Sequence, residues 1–327
     1  MNGLLWLQLT IRRFLPLWIV LCAVVAAVFP AAFTFLERFP SYGLAFVIFC
    51  MGLTLQKEHF LQLLRQPKVL FWGLGIKWAV NLSIALLFSL LFLSVSEELA
   101  AGILLSGVVP SGTAANVYTF MAQGSVALSL AMTTLDTFLS PVVTPGLVKM
   151  VFGQFVPVPF LELFWRLVLI VLLPLALGMY IRAKAAAVAE RVSAYVSLMS
   201  SLTLLLIVLG VISAAQPMLV EQARWLPLLG AVLFLQVLIP FVAGYSIAKK
   251  MGFFEEDSRA ILFQTGICNT ALASILAMES ISPLAAVPPV LNMVYNLSLG
   301  AWIANYFIKK GFLKRKDVPC SDQVNEN

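Results

Sequence analysis

Charged residues are scarce in this chain. Only 11% of its 327 residues are Asp, Glu, Lys or Arg, whereas soluble domains contain about 25%. So little charge cannot cover a globule with a polar surface, which argues against a water-soluble fold. The single histidine, His59, lies near Lys57 in a short polar connection, where a surface role is expected. The apolar segments offer only Lys77, Asp136 and Cys268 as reactive groups, so we predict that the protein is not an enzyme.

Cysteine is also scarce and is not spaced for metal binding. None of the four cysteines forms a CxxC pair. A disulfide framework and a metal cage are therefore not indicated, and we predict no cofactor. The four are Cys22, Cys50, Cys268 and Cys320.

Long apolar runs make up most of the sequence. Hydrophobic residues account for 61% of the chain, and the mean hydropathy is +0.98. A transmembrane helix needs about 20 apolar residues, and these runs are continuously apolar, unlike the alternating segments of a β-barrel. We predict an all-α membrane protein with about ten transmembrane helices. The predicted spans are 14–36, 42–55, 69–93, 99–122, 126–152, 160–182, 193–215, 226–250, 258–279 and 284–308.

The basic residues indicate an orientation in the membrane. The formal net charge is +6, but the basic residues lie at the ends of apolar runs and not in a patch with interleaved aromatics. No nucleic-acid partner is therefore predicted, and no obligate protein partner is evident. If the N-terminus is cytoplasmic, most Lys and Arg residues fall in cytoplasmic connections. We predict a multi-pass protein of the cell membrane, a bacterial inner membrane, with both termini in the cytoplasm.

Two polar interruptions occupy equivalent spans of the two halves of the chain. The first is Val109–Asn116 in the fourth span, and the second is Gln264–Thr270 in the ninth. Because five spans is an odd number, halves of about 10–155 and 156–310 have opposite orientations, as in the inverted repeats of secondary transporters. We predict a single polytopic unit over residues 1–316, followed by a disordered cytoplasmic tail at 317–327.

A helix that unwinds inside the membrane has a physical consequence. Its freed N–H and C=O groups must meet protein, water or a ligand, because lipid offers no hydrogen bonds. Half-helix N-termini favour an anion, and freed carbonyl groups favour a small cation. A kink satisfied by neighbouring helices remains an alternative for either interruption alone. Two interruptions in corresponding positions favour a binding site.

Several motifs together resemble those of a known family. They are Pro110–Asn116, Ala122–Ser129, Ser140–Pro145, Gly266–Ala273 and Tyr295–Ser298. These stretches resemble the bile acid:sodium symporter family over most of the chain. The resemblance implies a ten-helix fold with a panel domain and a core domain, in which two discontinuous helices cross. It also implies organic anions as substrates, including bile acids, pantoate-like acids and other carboxylates, taken up with two sodium ions.

The positions that match the family's sodium ligands are altered in this chain. By resemblance, the first sodium site falls on Asn116, Ser129 and Thr133, but a hydroxyl position is occupied by Ala115. A carboxylate that serves both sites in the family is the amide Gln264 here. The second site corresponds to Lys77 and Cys268, and a protonated lysine cannot bind sodium. Coupling to two sodium ions is therefore doubtful.

Lys77 lies well inside the third predicted span, about 12 Å deep at 1.5 Å per residue. Its ammonium would place a fixed positive charge where relatives bind a mobile cation. A charge near the centre of a span costs about 2.5–3.5 kcal/mol and usually marks a function. Extension of the side chain to the membrane interface is the alternative.

Asp136 is the natural partner of Lys77. It shares a helical face with Ser129, Thr133 and Ser140, which should face the interior of the core. An ion pair with Lys77 could be purely structural or could serve transport. Alternatively, Asp136 replaces the charge lost at position 264 and binds one sodium ion with Asn116, Ser129 and Thr133, or carries a proton.

The substrate-binding candidates lie at the two interruptions and behind them. Polar side chains and backbone amides there could form an anion pocket. Each of these residues alone more often bonds a neighbouring helix. The candidates are Thr113, Asn116, Asn269, Tyr295 and Asn296.

The sequence thus predicts a secondary transporter of a small organic anion that works by alternating access. Its sodium coupling is weakened or replaced by Lys77, and its coupling ion is one sodium ion, a proton or none. A metalloid exporter that uses Cys268 and a non-transporting membrane receptor are the alternatives.

Overall fold

The computed structural model describes residues 14–36, 38–54, 67–152 and 160–316, and this part of the chain is helical. The predicted tail at 317–327 and His59 lie outside these ranges. The helices are α1 (Leu15–Val28), α2 (Phe39–Thr54), α3 (Pro67–Leu93), α4 (Glu97–Gly107), α5 (Ala114–Met121), α6 (Val126–Phe152), α7 (Phe160–Leu167), α8 (Leu173–Lys184), α9 (Ala186–Glu221), α10 (Leu226–Lys250), α11 (Glu255–Gly266), α12 (Thr270–Ser280) and α13 (Val287–Lys316). A π-helical segment, Val168–Leu172, joins α7 to α8.

Six helical segments of the described chain are long and apolar enough to cross a membrane. The protein is therefore a multi-pass, all-helical membrane protein, and the predicted class is confirmed. Helices α1, α2 and α12 are apolar but contain only 14, 16 and 11 residues. The six segments are Pro67–Leu93, Val126–Val151, Phe160–Lys184, Leu198–Glu221, Ala223–Lys250 and Leu284–Lys309.

Two predicted spans differ in length from the helices observed. The first was expected to reach residue 36, but α1 ends at Val28. Pro30 has no N–H to continue the hydrogen-bond ladder and disfavours a helical conformation at Phe29. The seventh was expected at 193–215, but α9 has 36 residues and extends beyond that span at both ends, at its start through an Ala-rich sequence that favours helix.

The helices pack in two groups. In the α9 group, α2 packs against α8 and α9, and α9 also packs against α1. Helix α7 is joined to this group through the π-helical segment that continues into α8, and it also packs against α6. Cβ atoms added at Gly52 and Gly178 would lie 2.5 Å from Leu175 O and 2.3 Å from Phe49 O. The absence of side chains at these two glycines therefore permits the close contact of α2 with α8.

The crossing group contains α3–α6 and α10–α13. Helix α3 packs against α4 and α11, and α10 packs against α3, α11 and α13. Helix α12 packs against α4 and α13, and α11 packs against α5. Helices α3 and α10 thus enclose the two interruptions, which lie between α4 and α5 and between α11 and α12.

Candidate functional site

The two interruptions meet as an antiparallel pair of short extended segments. An isolated β-bridge joins Ser111 to Cys268. The Gly112 N–H donates to the Ile267 carbonyl at 2.9 Å, and the Asn269 N–H donates to the Pro110 carbonyl at 2.8 Å. Pro110 has no N–H of its own, which suits it to a break in a helix. The backbone groups freed in one segment therefore satisfy those freed in the other.

Glycine permits the close approach at this crossing. A Cβ atom on Gly112 would lie 3.1 Å from the carbonyl oxygen of Cys268. A Cβ atom on Gly266 would lie 2.2 Å from a ring carbon of Phe241. Larger residues at these two positions would force the segments apart or displace Phe241.

Side chains from neighbouring helices bind further carbonyl groups of the broken helices. From α3, Asn81 Nδ2 donates to the Thr265 carbonyl at 2.9 Å. From α10, Gln236 Nε2 donates to the Ile103 carbonyl at 2.7 Å. Both side chains are buried. Each broken helix is thus supported by an amide from a long neighbouring helix, which meets the requirement that backbone groups in a membrane be satisfied within the protein.

Lys77 also donates a hydrogen bond to a carbonyl group of a broken helix, but through a charged group. Its ammonium donates to the Val109 carbonyl at 2.8 Å and lies 3.1 Å from Asp136 Oδ2. It also lies 3.5 Å from the centroid of the Trp78 ring, where a cation–π contact adds attraction. The side chains of Lys77 and Asp136 are both 0% exposed. The ammonium is therefore enclosed by the protein and does not reach its surface.

Asp136 connects Lys77 to the first interruption. Its Oδ2 accepts hydrogen bonds from the Ser111 N–H at 2.7 Å and the Ser111 hydroxyl at 2.9 Å. Its Oδ1 is buried and has no hydrogen-bond partner in the described part of the chain. The Ser111 hydroxyl also lies 3.0 Å from the Gln264 carbonyl. Ser111 thus links the carboxylate on α6 to both broken helices.

A second cluster surrounds the side-chain nitrogen of Gln264. Its Nε2 lies 3.0 Å from Asn116 Oδ1, 2.7 Å from Ser129 Oγ, 3.0 Å from the Ser129 carbonyl and 2.8 Å from Thr133 Oγ1. We call these four oxygen atoms the oxygen cage. The Ser129 and Thr133 hydroxyls also lie 2.7 and 3.0 Å from Asn116 Oδ1. Four residues predicted to form the ion site are therefore together.

Asp136 belongs to the other cluster. Its contacts are with Lys77 and Ser111, whereas Gln264 Nε2 contacts Asn116, Ser129 and Thr133. Cys268 is buried and pairs with Ser111 through its backbone. Within the described ranges, no group of three or more His, Cys, Asp and Glu side chains could hold a metal ion.

The substrate candidates occupy different environments. Thr113 is exposed at the start of α5, and its side chain makes no capping hydrogen bond in the described structure. Asn269 accepts from the Leu272 N–H at 3.1 Å and so caps α12. Asn296 is buried and donates to the Cys268 carbonyl at 3.3 Å.

Tyr295 lies beside Asn296 but points into an apolar cleft. The cleft has a volume of about 640 Å³ and lies between α10 and α13. The Tyr295 ring packs edge-on against Phe234, with 5.7 Å between ring centroids. Its role in substrate binding stays a prediction.

Sequence reasoning missed several residues of the site. Ser111, Trp78, Asn81 and Gln236 were not among the candidates, although all four contact a charge or a broken helix. Asn81 and Gln236 are polar residues inside apolar runs, and that signal was available in the sequence.

A sequence profile described as the sodium bile acid symporter family matches residues 41–222. The chain is 32% identical over 303 residues to the uncharacterized sodium-dependent transporter YocS of Bacillus subtilis (strain 168), and the match covers 92% of each chain. It is also 31% identical over 313 residues to the probable chloroplastic sodium/metabolite cotransporter BASS2 of Oryza sativa subsp. japonica. That match covers 94% of this chain and 72% of the relative.

The chain belongs to the sodium bile acid symporter family. The predicted family membership is confirmed, and the protein is a transporter, not an enzyme. A similar relationship, 27% identity over 291 residues, links it to the probable sodium/metabolite cotransporter BASS1 of Arabidopsis thaliana, with 88% of this chain and 72% of that chain covered.

The sodium ions that this family's name implies do not fit the two clusters as they stand. An amide NH₂ group points into the oxygen cage, and an ammonium group lies against the Val109 carbonyl and Asp136. Both groups are hydrogen-bond donors, which cannot act as cation ligands. Each of the two clusters thus contains a tethered N–H donor.

Proposed function

We propose that the protein is a secondary transporter of a small organic anion, a carboxylate, in which Lys77 replaces a coupling cation. One observation supports this most directly. The Lys77 ammonium binds a carbonyl freed by the break in the first discontinuous helix and also the Asp136 carboxylate. A bound cation in such a transporter uses the same kinds of ligand.

The proposed architecture has ten spans in two inverted repeats, about 10–155 and 156–310. In this arrangement α4 with α5, and α11 with α12, are the fourth and ninth spans. The antiparallel pairing of Ser111 with Cys268 supports an inverted relationship, because a two-fold axis in the membrane plane relates such segments. The matching contacts of Asn81 and Gln236 on opposite broken helices support it as well.

Alternating access follows from the two packing groups. We propose that the crossing group is the core domain, that the α9 group is the panel domain, and that one rocks against the other. The substrate binds at the crossing, around which the two domains rock. The α5 N-terminus supplies partial positive charge there, with Thr113 exposed beside it and Asn116 one turn further on. Asn269, Tyr295 and Asn296 complete the proposed pocket.

The Lys77–Asp136 pair carries no net charge, so the anion is held mainly by backbone and neutral polar groups. The tethered ammonium keeps the broken backbone in place without a metal ion. Because the charge is part of α3, it stays with the core domain in each state. We infer that sodium coupling is weakened or absent in this protein.

Uptake into proteoliposomes tests this proposal. Radiolabelled pantoate and cholate serve as probes, with NaCl or choline chloride at equal concentration outside. We expect saturable uptake of at least one probe that is at most weakly affected by replacing sodium. Each transported probe should also raise the Tm of the purified protein. Binding of a probe without flux would instead favour the receptor alternative, and absence of both would contradict the proposal.

Lys77→Gln is the matching variant, and Lys68→Gln is its control. Both lysines belong to α3, but Lys68 is exposed. We expect Lys77→Gln to impair uptake or to make it sodium-dependent, while Lys68→Gln behaves as wild type. Equal behaviour of the two variants would show that Lys77 has no role in coupling. Cys268→Ala, assayed for metalloid tolerance, tests the exporter alternative.

A further inference from the structure

The oxygen cage has more acceptors than the group inside it has protons. The NH₂ group of Gln264 carries two protons, yet four oxygen atoms lie within 3.0 Å of its nitrogen. A shell of several carbonyl, amide and hydroxyl oxygens around one point is the ligand arrangement of a hard cation. The cage therefore has the form of a cation site with an amide nitrogen at its centre.

The orientation of the Gln264 amide follows from the same count. If Oε1 faced inward, five oxygen atoms would meet with the two hydroxyl protons of Ser129 and Thr133 to share. The Thr119 hydroxyl, 3.2 Å from Ser129 Oγ, already donates its proton to the Ala115 carbonyl at 2.8 Å. The Ser129 hydroxyl is already within hydrogen-bonding distance of Asn116 Oδ1, and that of Thr133 is near both Asn116 Oδ1 and the Ser129 carbonyl. Outward, Oε1 is buried and has no partner among the described residues. The hydrogen bonds that the NH₂ group donates to the cage offset the cost of leaving Oε1 without a partner.

The absence of charge on the cage residues also disfavours a bound cation. Asn116, Ser129, Thr133 and Gln264 are all neutral, so a cation entering the cage would find no opposite charge on its ligands. Asp136, which Ser111 links to the Gln264 carbonyl, is already paired with Lys77. A buried charge without a counter-charge is costly. The cage thus lacks the negative charge that would draw in an alkali ion.

We propose that the Nε2 group of Gln264 permanently fills the oxygen cage and closes it to sodium, so that residue 264 decides whether this site binds a metal ion. The consequence for transport rests on the proposed function: with Lys77 at one position and Gln264 at the other, both cation positions are held by tethered groups. The closure of the cage is itself measurable without transport.

Replacement of the amide by a carboxylate should open the cage. Gln264→Glu removes the two protons, adds a fifth oxygen ligand and adds one negative charge that Lys77 is not free to neutralise. We expect this variant to bind sodium. The matched control is Gln236→Glu on α10. Gln236 is also a buried glutamine with an unpartnered Oε1 in the described structure, but its Nε2 is hydrogen-bonded to a single carbonyl, that of Ile103.

The experiment is a thermal unfolding titration of the purified full-length proteins in detergent at pH 8, followed by tryptophan fluorescence. NaCl replaces choline chloride at constant ionic strength. We expect no sodium-specific change in Tm for wild type or Gln236→Glu, and a saturable rise of at least about 2 °C for Gln264→Glu. Equal responses of the two glutamate variants would overturn the proposal.

The wild-type titration tests the proposal even if Gln264→Glu does not fold. A saturable, sodium-specific rise in the wild-type Tm that is lost in Thr133→Ala would show that the cage binds sodium with the amide present, and would overturn the proposal. No rise supports it. Failure of pantoate and cholate flux would count against the proposed function alone, because this titration requires no substrate.

Discussion

The Lys77–Asp136 pair and the cluster around Arg166 use similar chemistry in different surroundings. Lys77 and Asp136 are both 0% exposed, and their charges lie 3.1 Å apart. Arg166 is 32% exposed; it pairs with Glu162 at 2.9 Å within α7 and also with Glu279 of α12, which is 24% exposed. Water can replace a lost partner in the Arg166 cluster but not at Lys77. Burial, more than distance, therefore decides which pair the fold depends on.

The largest effect is expected from removing one charge of the buried pair. Asp136→Asn leaves the Lys77 ammonium enclosed without a counter-charge, and loss of one partner of a buried pair costs about 3–5 kcal/mol. We expect a corresponding loss of unfolding free energy in detergent. The double variant Lys77→Met with Asp136→Leu should be more stable than Asp136→Asn, since it buries no charge. A double variant as unstable as the single one would contradict this account.

This pair also shows how far the sequence could predict the site. Pairing of Lys77 with Asp136 was one of the alternatives, because two isolated charges at membrane depth need partners. The two helix breaks were visible as polar segments with Pro110, Gly112 and Gly266. Ser111 could not be assigned, because its contacts depend on how two segments cross, and the residues in contact are 153 positions apart in the chain. Packing at that crossing is a tertiary property without a local signal.

The oxygen cage shows the same limit. Resemblance placed Asn116, Ser129, Thr133 and Gln264 near one another, and the side chains are in contact in the structure. The sequence showed only that position 264 lacks a charge. That its nitrogen, and not its oxygen, points into the cage follows from the arrangement of hydroxyl groups in space. The physical role of an amide in a site is therefore set by its neighbours.

The second largest effect concerns membrane potential, because in the proposed mechanism the tethered charge of Lys77 returns with the protein in every cycle. The net charge moved per cycle is then that of the anion alone. For pantoate, 100 mV positive inside, set with potassium and valinomycin, should favour accumulation by about 2.3 kcal/mol, roughly 50-fold. A carrier coupled to two sodium ions responds with the opposite sign, and one coupled to a single cation does not respond. Either outcome would contradict the proposal that the Lys77 ammonium replaces the coupling cation.

A smaller effect is expected at Ser111, which holds Asp136 through a hydroxyl and a backbone N–H. Ser111→Ala removes only the hydroxyl bond, and hydrogen bonds to charged groups contribute about 1.5–3 kcal/mol. Ser106→Ala is the control, because this buried hydroxyl donates to the neutral Gly102 carbonyl. We expect Ser106→Ala to lower the unfolding free energy by about 0.5–1.5 kcal/mol. Equal losses of unfolding free energy for the two variants, measured by chemical denaturation, would show that the Ser111 hydroxyl does not stabilise the Asp136 carboxylate.

The smallest effect on stability is expected in the exposed cluster. Glu162→Gln and Glu279→Gln should each change the unfolding free energy by about 0–1 kcal/mol, and less at 1 M salt, because water and salt screen partly exposed ion pairs.

The two variants should nevertheless differ in transport. Glu162 and Arg166 share helix α7, so their pair survives any movement of that helix. Glu279 belongs to α12 in the crossing group, and it also accepts a hydrogen bond from Ser41 on α2. These contacts join the two groups that we propose move against each other. The proposed movement must break them in every cycle, so Glu279→Gln should change the uptake rate by up to about fivefold, the equivalent of about 1 kcal/mol, while Glu162→Gln leaves it unchanged. Identical rates in both variants would mean that α7 and α12 stay together throughout the cycle, and that the boundary between the moving groups lies elsewhere.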